Sequence, residues 1–238
     1  MKRGWIIWIF IFLIAVVVGI YIIYRILFIP HGIDIDKQRY PVTGIDISSH
    51  TGKIDFDKVK DQNIDFIFFK ATEGENYTDN KFEENYKGLK RIGIPIGVYH
   101  FFRFNKSGKR QASYFLSVVE SKQFDLPFVL DIEDWGNPTT KNSDEVTKEI
   151  IEFINELKKR TNKKILIYTN ENGYNKYLKN KFNKYDIWIC SFSKKPKINR
   201  EWIFWQHSHK GQFDFANGWV DINTFNGNKK DFEKYLRR

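Results

Sequence analysis

The 238-residue chain has a single cysteine, Cys190. One thiol cannot close an intramolecular disulfide, so the fold does not depend on oxidation. Set in the apolar run Ile187-Trp188-Ile189-Cys190, it reads as a small buried hydrophobe rather than a nucleophile. No internal repeat and no low-complexity tract is present, which excludes a solenoid or a compositionally disordered chain. The basic residues form no dense stripe with a nucleic-acid-binding motif, so nucleic acid is not an expected partner. No acidic residue precedes Asp34, and charge of either sign is missing from Trp5 to Tyr24.

That uncharged gap is long. Twenty residues at about 1.5 Å each span roughly 30 Å, the hydrocarbon thickness of a bilayer. A small-x-small cleavage site is also lacking: the run continues through Val16-Val17-Val18 into Tyr21-Ile22-Ile23-Tyr24, past where a signal peptide's apolar core ends. Lys2 and Arg3 precede it, and Trp5, Trp8, Tyr21 and Tyr24 sit towards its two ends, where interfacial aromatics belong. Residues 1–29 are therefore expected to be a transmembrane signal anchor with its basic end cytoplasmic. Residues 30–42 read as a short polar tether, and 43–238 as one domain of roughly 200 residues with a full core. That domain is expected on the extracytoplasmic side of a bacterial cell, close to the membrane, as a monomer.

What is present suits a folded, basic protein: 42% of residues are hydrophobic and 17% aromatic. The net charge is +10; setting aside Lys2, Arg3 and Arg25 leaves 36 basic residues against 29 acidic ones, or +7. Such a surface favours polymers bearing phosphate or carboxylate. From Thr43 onward, strand-like and helix-like segments alternate. Strands are predicted over 44–48, 65–70, 95–101, 128–133, 165–168, 186–190, 202–206 and 219–223. Between them, Phe82, Tyr86 and Leu89 form one helical face, stopped by Gly93; Ala112, Phe115, Leu116 and Val119 form another after Ser107. Val146, Ile150, Phe153, Ile154 and Leu157 form a third, with Ser143 as cap and Lys158-Lys159-Arg160 in the last turn. Such alternation predicts an α/β fold of parallel β/α units, a (β/α)8-like barrel with helices missing in its last quarter.

In such a barrel the site lies at the C-terminal ends of the strands. Asp46, Lys70, Tyr99 with His100, Asp131 with Glu133, Tyr168, Trp188, Gln206 after Trp205, and Asp221 with Asn223 take those positions on the eight strands in turn. Polar or aromatic groups at one end of every strand are hard to explain by packing. The fourth strand, Phe128-Val129-Leu130-Asp131-Ile132-Glu133, carries the sharpest signal. Period two puts Asp131 and Glu133 on one face, and two carboxylates that close leave one of them protonated well above its usual range. A proton donor beside an ionised carboxylate is the equipment for cleaving a glycosidic bond. Burial by aromatics such as Trp135 is expected to raise Glu133 further.

Gly44-Ile45-Asp46-Ile47-Ser48, Phe69-Lys70-Ala71-Thr72-Glu73-Gly74, Gly97-Val98-Tyr99-His100-Phe101, Leu130-Asp131-Ile132-Glu133, Ile187-Trp188-Ile189, Trp205-Gln206 and Val220-Asp221-Ile222-Asn223-Thr224-Phe225 follow one another in order. In that order and spacing, the stretch from about Pro41 to Phe232 resembles the family-25 glycoside hydrolases, the Chalaropsis-type lysozymes or N-acetylmuramidases. The resemblance implies an irregular, flattened barrel that cleaves the β-1,4 bond between N-acetylmuramic acid and N-acetylglucosamine in peptidoglycan, without a cofactor or metal. It makes Glu133 the general acid, Asp131 its partner, and Asp46 and Asp221 the remainder of a four-carboxylate cluster. Tyr99, Trp188 and Trp205 would line the saccharide groove, with Tyr168, Lys70, Gln206 and Asn223 also against substrate. Cys190 stands where an alanine is common, and Phe192 where a tyrosine often follows.

Asp131 has two possible tasks. It could polarise the substrate's own acetamido group, with retention, or hold a water on the opposite face, with inversion. Three rival readings stay open: a non-catalytic wall-binding module, a hydrolase of another acetamido-sugar polymer, and a cation site built from the same four acids, with His100 as a further ligand.

Overall fold

A computed structural model describes residues 4–28 and 31–237, and the chain divides into two compact units, 1–31 and 32–238. The first holds one helix, α1 (Gly4–Phe28). Lys2, Arg3 and Pro30 lie outside the described residues, as do the side chains of Ile6, Ile22 and Arg25. The run of α1 side chains described without a break is 7–21. Among the described residues no helix is long and apolar enough to cross a membrane, so the expected transmembrane anchor finds no support there.

The second unit is the α/β barrel. Its first half contains β1 (Thr43–Ile47), α2 (Phe56–Lys60), β2 (Phe66–Glu73), the short β3 (Tyr77–Thr78), α3 (Phe82–Ile92), β4 (Ile96–Phe101), α4 (Gly108–Val119) and β5 (Phe128–Asp131). The second half contains α5 (Ser143–Arg160), β6 (Ile165–Asn170), α6 (Glu171–Gly173) running into a π turn, β7 (Asp186–Cys190), β8 (Phe204–Gly211), β9 (Val220–Phe225) and α7 (Lys229–Leu236). Eight strands close in the order β1-β9-β8-β7-β6-β5-β4-β2, with β2 returning to β1 and β3 added as a hairpin on β2. No helix lies between β7 and β9, as the sequence spacing indicated.

The wholly parallel arrangement needs correcting. β9 runs antiparallel to both β8 and β1. A parallel return demands a crossover of a dozen or more residues, usually helical, whereas β8 and β9 are joined by only the short loop 212–219. The reversal places Asp221 at the start of its strand, opposite Asp46 near the end of β1. An acid on a reversed strand thus reaches the same mouth as acids on forward ones.

Alternation along the strands splits the core in two. One set, including Phe66, Phe68, Val129, Leu166, Tyr168, Trp188, Phe204 and Phe225, fills the barrel interior. The other, including Ile45, Ile67, Phe69, Val98, Leu130, Ile167 and Ile189, packs outward against the apolar faces of α3, α4 and α5. The interior is solid. Phe68 stacks on Trp188 at 4.6 Å, and α7 brings Phe232 and Tyr235 against Phe66, Phe204 and Phe225. A Cβ at Gly44 would overlap the Phe66 ring, so the first strand needs glycine where aromatics crowd it.

Gly93 ends α3 in the left-handed region at φ 74°, as a glycine stop should. The cap of α5 is Asn142, one residue before the expected Ser143, because Asn142 closes a capping box with Glu145. Nor is the tether free along its length. Ile33 N–H donates to His207 O at 2.9 Å, Gly32 bridges Ser208, and Tyr40 is buried against Trp202 and Trp205. An aromatic and a β-bridge are enough to tie 32–42 to the barrel.

Candidate active site

Asp131 and Glu133 leave β5 on the same side, because the backbone stays extended past the strand's last residue. Phe102 N–H donates to Asp131 O at 3.0 Å and Ile132 N–H to Tyr168 O at 2.9 Å, while Ile132 faces outward and is buried. Asp46, on β1, is buried and accepts at one oxygen from Gln206 Nε2 and Asn223 Nδ2, both at 2.8 Å. Those amides are fixed in turn: Tyr168 Oη donates to Gln206 Oε1 at 2.7 Å, and Trp188 Nε1 to Asn223 Oδ1 at 2.9 Å. Asp221 hydrogen-bonds Asp46 directly.

The structure thus brings all four acids to one mouth, and burial perturbs each. Burial raises Asp46 to about 6 against the opposing hydrogen bonds of Asn223, Gln206 and Asp221. Burial, then the charge of Asp46, lifts Asp221 well above the carboxylate range, so Asp221 keeps the proton of that pair and donates it. Burial raises Glu133 to about 7, and burial with the charge of Glu133 lifts Asp131 well above its ordinary value. Two crowded carboxylates out of water share one proton. Which of them holds it is decided by their partners.

Glu133 and Asp131 have unlike partners. Glu133 is hydrogen-bonded to Tyr168, whose single phenolic proton is already given to Gln206. Gln206 cannot turn round, since its amide nitrogen must face the carboxylate of Asp46. The hydrogen bond with Tyr168 lowers Glu133 and so works against the larger effect of burial, which still leaves the acid near 7. Asp131 differs: its Oδ1 is buried with no hydrogen-bond partner.

The other expected site residues divide by strand phase. Trp188, Tyr168, Gln206 and Asn223 do face inward, but as buried supports beneath the acids: Trp188 is 2% exposed and Asn223 fully buried. Tyr99 faces the acids, and its phenol is pushed up by burial and then by Asp46, Asp131 and Asp221. Lys70 points inward too, but pairs with Glu73 at 2.6 Å, between the rings of Tyr77 and Phe101. Trp205 is a correction. One residue out of phase with Phe204 and Gln206, it faces the outer layer, packs on Tyr40 and Trp202, and donates to Ser191 O at 2.9 Å. His100 also faces outward, bonded to Thr72 and Gln111 and driven to about 3 by burial, which leaves it neutral.

Trp135 is the second correction. It is 81% exposed and contributes nothing to the burial of Glu133. The residue that the sequence analysis does not single out is Glu73. Burial alone would raise it, but hydrogen bonds and charges from Lys70 and Arg103 hold it below the usual range. Its spacing of three from Lys70 at the end of a strand was the available signal. Among the described residues, no group of three or more His, Cys, Asp or Glu side chains is arranged to hold a metal ion.

Comparison with known proteins adds independent findings. Residues 45–215 match the family model described as Glycosyl hydrolases family 25. The chain is 36% identical over 204 residues to the uncharacterized protein YegX of Escherichia coli O6:H1, covering 83% of this chain and 74% of that one. It is also 36% identical over 205 residues to Lysozyme M1 of Streptomyces globisporus, covering 78% and 68%. The solved structure of a family 25 glycosyl hydrolase from Bacillus anthracis superposes with a TM-score of 0.79 at 34% identity, covering 86% of this chain and 97% of that one.

Proposed function

This chain belongs to family 25 of the glycosyl hydrolases and is a glycoside hydrolase; from that premise we propose that it is a muramidase acting on peptidoglycan. Its substrate bond is the β-1,4 link between N-acetylmuramic acid and N-acetylglucosamine, and it acts as a monomer, since one chain supplies all four acids. Glu133 is the general acid that protonates the leaving oxygen. Asp131 accepts the N–H of the substrate's acetamido group and turns its carbonyl oxygen onto the anomeric carbon, the substrate-assisted route with retention.

The observation that carries this reading is the pairing of a Glu133 raised to about 7 with the buried, partnerless oxygen of Asp131. An acetamido N–H donated to that oxygen stabilises the ionised form of Asp131, and the shared proton then stays on Glu133. Substrate binding sets the protonation state that the chemistry needs. Asp46 and Asp221 hold the second proton and, through Gln206 and Tyr168, fix the groups that orient Glu133.

Reducing the fragments released from peptidoglycan with borohydride and identifying the sugar alcohol tests the assignment. Muramitol is expected. Glucosaminitol would instead assign the cut to the other glycosidic bond, and the absence of new reducing ends would remove the proposal.

Activity should fall as pH rises through about 7, where Glu133 loses its proton. Tyr168→Phe removes a hydrogen bond that lowers Glu133, so this alkaline limb should move to higher pH by up to about one unit. A shift to lower pH in the kcat profile would show that Glu133 instead donates to Tyr168.

We further place the barrel outside the cell, held at the membrane by the uncharged run from Trp5 to Tyr24. Full-length chain should sediment with membranes and resist alkaline carbonate extraction. Release into the soluble fraction would end that part of the reading.

A further inference from the structure

Among the described residues of the barrel unit, the exposed large hydrophobic side chains are Tyr77, Trp135, Ile151 and Trp219. Scattered exposed hydrophobics need no explanation. These are not scattered. Ile151 lies on α5, but the three aromatics all stand at the mouth that holds the carboxylates. Tyr77 is on β3 beside the end of β2, Trp135 follows Glu133 by two residues, and Trp219 precedes Asp221 by two.

Their positions around the ring are not equivalent. In the closed order, β5 and β9 are separated by three strands on either side. Trp135, carried at the end of β5, and Trp219, carried at the start of β9, therefore stand on opposite sides of the opening, with the acids between them. For a regular eight-stranded barrel the opening is roughly 15 Å across between backbones.

Each platform has a fixed base. Below Trp135, Asn137 donates to Phe102 O and to Glu133 O at 3.0 Å, and accepts from Phe104 N–H at 3.0 Å. Arg103 donates to Gly136 O, and Asp134 accepts from Tyr177 at 2.6 Å. Pinned backbone on both sides of an 81% exposed ring leaves only two side-chain torsions to be ordered when something stacks on it. Trp219, 51% exposed, has the Lys210 ammonium 5.7 Å from its ring centre and enters β9 directly.

We propose that Trp135 and Trp219 are the two ends of one saccharide groove that crosses the mouth over the acids, each stacking a sugar ring remote from the bond that is cut. The inference rests on the muramidase reading for the identity of the sugars. It adds a length specificity: a glycan strand long enough to reach both rings is bound in preference to a short one. Aromatic faces suit this task because the axial C–H faces of a pyranose are apolar while its rim is polar.

The test uses soluble glycan strands of alternating N-acetylglucosamine and N-acetylmuramic acid, fractionated by length, with the full chain. Trp135→Ala and Trp219→Ala should each raise KM on long strands by about three- to tenfold. kcat and the pH profile should stay in place, with little change on a tetrasaccharide. Trp135→Phe should recover most of the loss. Equal KM changes on long and short strands, or no change on either, would overturn the groove. Calorimetric binding of the same long strands to the Glu133→Gln chain, alone and combined with Trp135→Ala, separates the two readings. If strands are not cleaved but still bind through Trp135, the muramidase assignment fails and the groove stands. If they are cleaved and the binding is indifferent to both tryptophans, the groove fails alone.

Discussion

In the Glu133→Gln chain, release of reducing ends from peptidoglycan should drop by at least about three orders of magnitude, the range in which a positioned proton donor contributes. Glutamine keeps the size and polarity of the acid and can still reach Tyr168, but has no proton to give a leaving oxygen. The loss should fall on kcat, with KM on long strands little changed. A second, opposite effect should accompany it. Glu133 is raised from 4.5 to about 7 by burial, so its folded form binds a proton that its unfolded form has released. That group costs stability as pH climbs from about 4.5 to 7, in the sense that the unfolded state gains by ionising. The variant is therefore expected to melt higher than the parent at pH 7 to 8, by on the order of 2 kcal/mol, with the gap closing below pH 4.5. Activity lost and stability gained from one substitution is the signature of a strained catalytic group. Near-normal turnover in the variant would remove Glu133 from the mechanism, whatever its effect on melting.

Asp131→Asn should cost about two to three orders of magnitude in kcat, by the loss of a charge-assisted contact that forms only when the acetamido group turns inward. Asparagine presents an N–H as readily as a carbonyl at the buried position where the native oxygen has no partner. NMR of the first anomer released by the parent chain completes this prediction. Retention, seen as the β-anomer appearing before mutarotation, is the outcome that the acetamido route requires. An initial α-anomer would reassign Asp131 to holding a water. The variant should also lose its dependence on the 2-acetamido group, so that partly de-N-acetylated strands, slow for the parent, are no slower for Asp131→Asn than intact ones.

Much of this was legible in the sequence because it depends on period and spacing. Apolar residues at helical intervals located α3, α4 and α5, and alternation on β5 put Asp131 and Glu133 on one face before any coordinates. The same rule, applied more strictly, would have removed Trp205 from the groove, since it cannot share a face with its neighbour Gln206. The reversal of β9 was less accessible. Its only signal was the shortness of the 212–219 loop, which excludes a crossover helix but not an irregular one. The Glu133–Tyr168 contact could not be read at all. It is fixed by the chain Tyr168, Gln206, Asp46, whose members come from β6, β8 and β1 and meet only in the folded barrel. Trp135 failed for a related reason: adjacency in sequence to Glu133 does not imply contact, and its ring is exposed.

The seam between β1 and β9 has a consequence for how the molecule acquires competence. Asp46 and Asp221 face one another across strands drawn from near the two extremes of the barrel unit, so their encounter is among the costliest in loop entropy. With that seam open, Asp46 lacks the hydrogen bond from Asn223 and its contact with Asp221. A half-built copy therefore lacks the four-acid mouth on which the proposed chemistry depends.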